Sequence, residues 1–191
     1  MVRIGILVGS GRSGGNSTGL TDWVQRQFAT TTTAEVTVLT PTQYPYPAGV
    51  LTAPEMPALV KNREYSDPET AAFARWVSGC DALVILTPQY NWGYPGSLKN
   101  ALDRLASEWR GKPFLLITYG GHGGGKAADQ LAQVIEGGLK AKVSGRVAIS
   151  LPDAYIRENV RVGAAGNADG FLEAYEESAK EAILALLQNA T

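Results

Sequence analysis

The chain has 191 residues, 45% hydrophobic and 18% charged, with 17 basic against 18 acidic side chains and a formal net charge of −1. This balance excludes a disordered chain, which combines low hydrophobicity with high net charge, and argues against a dedicated nucleic-acid binder, which carries a basic excess. A single cysteine, Cys80, excludes an internal disulfide and a cysteine-built metal centre, and a single histidine, His122, makes any Ser-His-Asp enzyme depend on that one position.

The length predicts one domain over residues 1–191, able to bury about 70% of its unfolded surface without a disulfide or metal staple. From the amino end, Val2 to Val8 reads as a strand buried on both faces, running directly into a polar glycine loop from Gly9 to Ser17. Leu20, Trp23, Val24 and Phe28 then recur at helical spacing within Thr18 to Ala29. Val36 to Leu39 is a second strand. Residues 40–66 are irregular and rich in proline, longer than most connections in a compact domain, which marks them as functional or interfacial. Ser66 or Asp67 can cap a helix from Pro68 to Ser78.

Asp81 to Thr87 is a strongly apolar third strand, Pro88 to Tyr94 a loop, and Pro95 opens a helix with Leu98, Ala101, Leu102 and Leu105 on one face. Pro113 to Tyr119 is a fourth strand, followed by glycines and a helix from Lys126 to Leu139. A fifth strand spans Val143 to Leu151, and Phe171 to Leu187 forms a last amphipathic helix. Strand–helix alternation repeated five times predicts an α/β fold, a five-stranded parallel sheet with helices on both faces. No stretch approaches the ~20 apolar residues of a membrane span, and the amino end lacks a signal-peptide cleavage site. The expectation is a cytoplasmic protein with neither membrane nor nucleic acid as partner.

In such sheets ligands bind outside the carboxyl ends of the strands. The loops after strands one, three and four are therefore the places to look. Gly9-Ser10-Gly11-Arg12-Ser13-Gly14 matches G-x-G-x-x-G, but the end of strand two, Val38-Leu39-Thr40, lacks the acid that holds a dinucleotide ribose. A monophosphate suits the loop better. Ser10, Asn16, Ser17 and Thr18 are side-chain donors, Arg12 a forked cation, and the glycines let backbone N–H groups turn inward at a helix start. The plainer reading is a solvated turn whose Ser17 or Thr18 caps the helix.

Pro88-Gln89-Tyr90-Asn91-Trp92-Gly93-Tyr94-Pro95 sets three aromatics and two amides between prolines, without a carboxylate or a nucleophile–base pair. It suits a flat heteroaromatic ring: Gln89 and Asn91 can bond ring carbonyls and nitrogens, and Tyr90 and Trp92 can cover a face. Trp92 and Tyr94 could equally pack on the sheet or on a partner. Gly120-Gly121-His122-Gly123-Gly124-Gly125-Lys126-Ala127 nearly fits G-x-x-x-x-G-K-S/T, yet Ala127 stands where a magnesium-binding hydroxyl is needed. The loop instead lets the backbone of Gly120 and Gly121 approach a ligand edge, with His122 as a possible contact. A phosphate, a linker and a flat ring describe FMN, one candidate among the ring-bearing mononucleotides.

The chain also resembles the NADPH-dependent FMN reductases of the flavodoxin-like proteins. The resemblance is carried by Gly9-Ser10-Gly11-Arg12, by Pro88-Gln89-Tyr90-Asn91, by Tyr94 to Asp103 and by Tyr119 to Gly124, and covers roughly residues 2 to 150. It implies a flavodoxin-like sheet and an FMN phosphate held by Ser10, Arg12 and Ser17, with Asn16 and Thr18 nearby. It further implies an isoalloxazine against Pro88, Gln89, Tyr90 and Asn91, with Gly120 and Gly121 beside its pyrimidine edge. It also implies a homodimer or homotetramer, NADPH or NADH as cosubstrate, and quinone, azo, metal-oxyanion or free-flavin acceptors. Many members of the family carry a second arginine in the first loop, where this chain has Gly15. No specific motif follows Leu151.

Two rivals remain at this point. One is a flavodoxin-type electron carrier, for which a net charge of −1 gives little docking surface. The other is a flavin-loaded sensor or interaction module using residues 41–58. Elsewhere, Lys99 and Asp103 are placed for a local ion pair or a subunit contact. Cys80 should pack as a small apolar group, and Glu173, Glu176, Glu177 and Glu181 follow a solvated helix face.

Overall fold

A computed structural model describes residues 1–164 and 169–190. Five parallel strands form one sheet: β1 (Arg3–Val8), β2 (Glu35–Leu39), β3 (Ala82–Pro88), β4 (Pro113–Gly120) and β5 (Lys142–Ser150), in the order β2-β1-β3-β4-β5. This is the flavodoxin-like order, with the direction of strand addition reversing between β1 and β3. Every residue of β3 is buried, as is all of β4 up to Tyr119. Their continuous apolar runs follow from coverage on both faces, whereas the edge strands β2 and β5 are partly exposed.

Helices cover the two faces separately. On one, α1 (Ser17–Thr31) and α6 (Glu176–Ala190) bury Leu20, Trp23, Val24, Phe28, Ile183 and Leu186 against Ile4, Ile6, Val84 and Ile117. On the other lie α2 (Pro68–Ser78), α3 (Gly96–Asp103) and α4 (Gly125–Ala132), over a core of Phe73, Leu98, Leu102, Trp109, Phe114 and Leu116. The Trp109 indole is fully buried and donates to the carbonyls of Leu102 and Leu105, both at 3.1 Å, so its one polar atom is satisfied.

Most elements lie where sequence periodicity places them. The helix starting at Pro68 is capped by Asp67 rather than Ser66: Asp67 Oδ2 accepts from the Thr70 N–H at 2.9 Å. Three differences stand apart. The helix expected over Lys126–Leu139 is α-helical only to Ala132 and widens into a π-helical turn over Gln133–Gly138, ending on two glycines that hold an α-helix weakly. The last helix is preceded by a 3₁₀ turn over Gly170–Tyr175. A five-residue helix, α5 (Asp153–Arg157), follows β5, too short to show a period in the sequence.

The long segment 40–66 holds a single 3₁₀ turn, Pro57–Leu59. It is pinned to the α3 side of the molecule. Tyr46 is buried beside Phe73, the Asn100 amide donates to the carbonyls of Pro47 (2.7 Å) and Gly49 (3.0 Å), and Arg104 donates to Gly49. No helix among the described residues is long and apolar enough to cross a membrane.

Candidate functional site

The three loops meet at the carboxyl ends of β1, β3 and β4, beside the β1/β3 switch point. The first loop leaves β1 at Gly9, whose N–H donates to the Leu86 carbonyl at 2.8 Å and whose carbonyl accepts from Ser97 Oγ at 3.1 Å. A side chain at Gly9 would overlap the Thr87 hydroxyl, so the loop can lie this close to β3 only with glycine there. Ser10 Oγ lies 2.9 Å from the Tyr90 hydroxyl, and the Arg12 guanidinium sits 4.7 Å from the Tyr90 ring centroid. The phosphate-type loop and the aromatic loop are thus joined directly by a hydrogen bond and a cation–π contact.

The second and third loops are joined through Gln89. Its N–H donates to the Tyr119 carbonyl at 2.9 Å, and its side-chain oxygen accepts from the N–H groups of Lys126 (3.1 Å) and Ala127 (3.3 Å) at the start of α4. Those donors lack partners inside the helix, so Gln89 acts as their cap. The aromatic loop then turns through Asn91 and Trp92, both at positive φ (46° and 74°), a conformation costly for side chains other than glycine.

Between the loops lies a cleft of about 310 Å³. Of the residues named from the sequence, Ser10, Arg12, Asn16, Pro88, Gln89, Tyr90, Gly120 and Gly121 line it. Ser17 is buried in the first turn of α1 and Thr18 is exposed beside it. Asn91 is exposed at the tip of its loop. His122 is exposed and lines an adjoining hollow with Gln89, Trp92 and Lys126. The Lys126 ammonium lies 5.4 Å from the Trp92 ring centroid.

The other wall was not legible in the sequence. It is built by the segment after β5, which contributes Leu151, Tyr155, Ile156 and Arg161. Asn16 clasps this segment: its amide nitrogen donates to the Tyr155 carbonyl (2.8 Å) and its oxygen accepts from the Val162 N–H (3.0 Å). The carboxamide expected to serve a ligand is therefore committed to the chain's own backbone. The signal was absent because these partners lie 139 and 146 residues apart.

The electrostatics favour an anion. The described residues lining the cleft include two arginines and no acid, and the first turn of α1 carries no acidic residue. The N–H groups of that turn have no intrahelical partners, and the helix dipole adds positive potential. Beneath the ring-type loops, burial drives the Tyr119 phenol far above its ordinary range, helped by the neighbouring Tyr90, so it stays neutral at any working pH. No cluster of three metal-ligating side chains occurs among the described residues. Gly120 and Gly121 keep the floor shallow; a side-chain carbon on Gly121 would stand 3.1 Å from Ile156 Cδ1. Cations and hydroxyl at one end, and aromatic, amide and bare backbone at the other, fit an FMN phosphate and isoalloxazine.

The family profile described as NADPH-dependent FMN reductase matches residues 2–155. The chain belongs to that family. It is 53% identical over 98 residues to the NAD(P)H-dependent FMN reductase LOT6 of Saccharomyces cerevisiae, covering 51% of each chain. It is 48% identical over 97 residues to an NAD(P)H-dependent FMN reductase of Schizosaccharomyces pombe, covering 50% of this chain and 48% of that one. The matched region thus spans about half the length of these two FMN reductases. Among solved structures, the NAD(P)H:acceptor oxidoreductase FerB of Paracoccus denitrificans superposes with a TM-score of 0.60 at 21% identity, over 95% of this chain and 98% of that one. That likeness is one of fold.

Proposed function

We propose that this FMN reductase family member is an FMN-dependent NAD(P)H oxidoreductase. NADPH or NADH is its hydride donor, and a quinone, azo compound, metal oxyanion or free flavin its small-molecule acceptor. The observation that carries this reading is the cleft at the β1/β3 switch point, where the cationic first loop is bonded to the aromatic loop through Ser10 and Tyr90. Held in this cleft, FMN would supply the redox chemistry, two-electron exchange between a nicotinamide and an acceptor.

The chain's own residues bind and orient. Ser10, Arg12 and the first turn of α1 would hold the phosphate. Pro88, Gln89 and Tyr90 would flank the ring, with the backbone of Gly120 and Gly121 toward its polar edge. Among the described residues lining the cleft there is no nucleophile–base pair, which fits a site whose chemistry a bound cofactor would supply. The reading takes residues 1–191 as a single domain and the assembly as a homodimer or homotetramer. Thr18, Asn91 and His122, all exposed, belong to the rim in this reading.

The test is the visible absorbance of the purified protein after loading with FMN, desalting and anaerobic addition of NADPH. Retained flavin bands that bleach are the expected result. Bands that stay oxidised with NADPH and with NADH yet bleach with dithionite would refute the oxidoreductase assignment in favour of a carrier or sensor.

A further inference from the structure

One cation of the cleft comes from beyond residue 155, where the family match ends. Arg161, half-buried, lines the cleft beside Ser13 and Gly14 of the first loop. Its Nε donates to the Gly14 carbonyl at 2.9 Å, and its Nη1 donates to the carbonyls of Glu158 (2.6 Å) and Val160 (2.5 Å). Gly14 has φ +63°, so the guanidinium braces a left-handed turn at the apex of the loop. The position is fixed from below. Val162 is 4% exposed, its N–H is bound to Asn16, and its backbone lies directly on Gly19 of α1.

We propose that Arg161 is a second phosphate-binding cation of the site, so that the segment 155–163 forms the phosphate wall of the FMN cleft. The inference rests on the FMN reading above. A phosphate monoester carries about −1.5 to −2 charges at pH 7, more than one guanidinium neutralises. Arg12 is also drawn toward the face of Tyr90, which leaves the loop apex to another cation. A guanidinium braced at that apex adds its positive charge to the wall that faces the phosphate. This cation reaches the first loop across 147 residues of sequence.

The rival role for Arg161 is purely structural bracing of Gly14, and a comparison of FMN with riboflavin separates the two. Dissociation constants of both flavins are measured by fluorescence titration for wild type, Arg161→Ala, Arg161→Gln and Arg161→Lys, with circular dichroism checking the fold. Arg161→Gln removes the charge while keeping a donor for Gly14, which keeps the test open should Arg161→Ala fold poorly. The expected result is FMN affinity reduced about tenfold to a hundredfold in Arg161→Gln, with partial recovery in Arg161→Lys and riboflavin affinity unchanged. Unchanged FMN affinity, or equal losses for FMN and riboflavin, would overturn the proposal. A wild-type protein that binds neither flavin would instead overturn the FMN reading itself.

Discussion

Gly19 offers a test in which two physical effects carry opposite signs. It sits in the third position of α1, and a helix gains about 1 kcal/mol from alanine in place of glycine when nothing else changes. In this fold a Cβ at Gly19 would overlap the Val162 carbonyl and stand 2.8 Å from the Gly163 nitrogen. Both obstacles are backbone, so no rotamer change relieves them. The segment must lift by on the order of 1 Å, beyond the reach of ordinary hydrogen bonds. The two bonds from Asn16 are lost at about 1 kcal/mol each, together with roughly 1.5 kcal/mol from the buried Val162 side chain. Set against the propensity gain, Gly19→Ala is expected to lose about 2–3 kcal/mol, a fall of about 5–10 °C in thermal midpoint for a chain of this size. The assay is thermal unfolding followed by circular dichroism, with FMN affinity measured alongside, since lifting the segment also moves Arg161. A midpoint equal to or above that of the wild type would refute the reasoning, because helix propensity would then outweigh the docking of residues 155–163 on α1.

Arg12→Ala should weaken FMN retention on desalting by at least tenfold while leaving hydride transfer in the FMN-saturated protein within about threefold; equal retention would refute its phosphate role. Asp67 is held below its ordinary 3.8 chiefly by the Thr70 hydroxyl, with the Arg104 guanidinium adding to the effect. A lowered carboxylate pKa stabilises the fold above the unfolded value and ceases to do so as pH falls through the folded one. Asp67→Ala should therefore cost about 2 kcal/mol at pH 7, from a lost cap and a lost charged partner. In urea unfolding, its gap from wild type should shrink below pH 3.8; a gap constant down to pH 2 would refute the ionised role. Burial pushes the Cys80 thiol up to about 11, so a thiol-disulfide reagent at pH 8 should leave the native protein unmodified and label one equivalent in urea. Rapid native labelling would show that Cys80 is accessible.

The fold was legible because its signals are local. Asp67-Pro68 marks the start of α2, and the apolar runs of β3 and β4 bound themselves at Pro88 and Pro113. The first two loops that frame the cleft owe their visibility to local density, four glycines from Gly9 to Gly15 and three aromatics from Tyr90 to Tyr94. Contacts spanning the chain were not legible. Asn16 reads as a ligand donor when only its neighbours are considered, and becomes a clasp for Tyr155 and Val162 once the end of the chain is folded back. Arg161 lies in a stretch without pattern, between a strand and a helix, and its importance exists only in three dimensions. The positive φ at Asn91 and Trp92 was likewise hidden, since neither residue type announces a left-handed turn as glycine does.

The return of residues 155–163 to Asn16, Gly14 and Gly19 bears on how the protein is made. A nascent chain emerges from its amino end, so the glycine loop leaves the ribosome long before the segment that completes its wall. Strands β1 to β4 can associate during synthesis, yet α6, packed on α1, β4 and β5, follows all five strands. Flavin captured early would meet a half-walled cleft and leave it readily. With residues 155–163 as the phosphate wall proposed above, durable loading waits until that segment has left the ribosome, and a chain stalled after β5 lacks it.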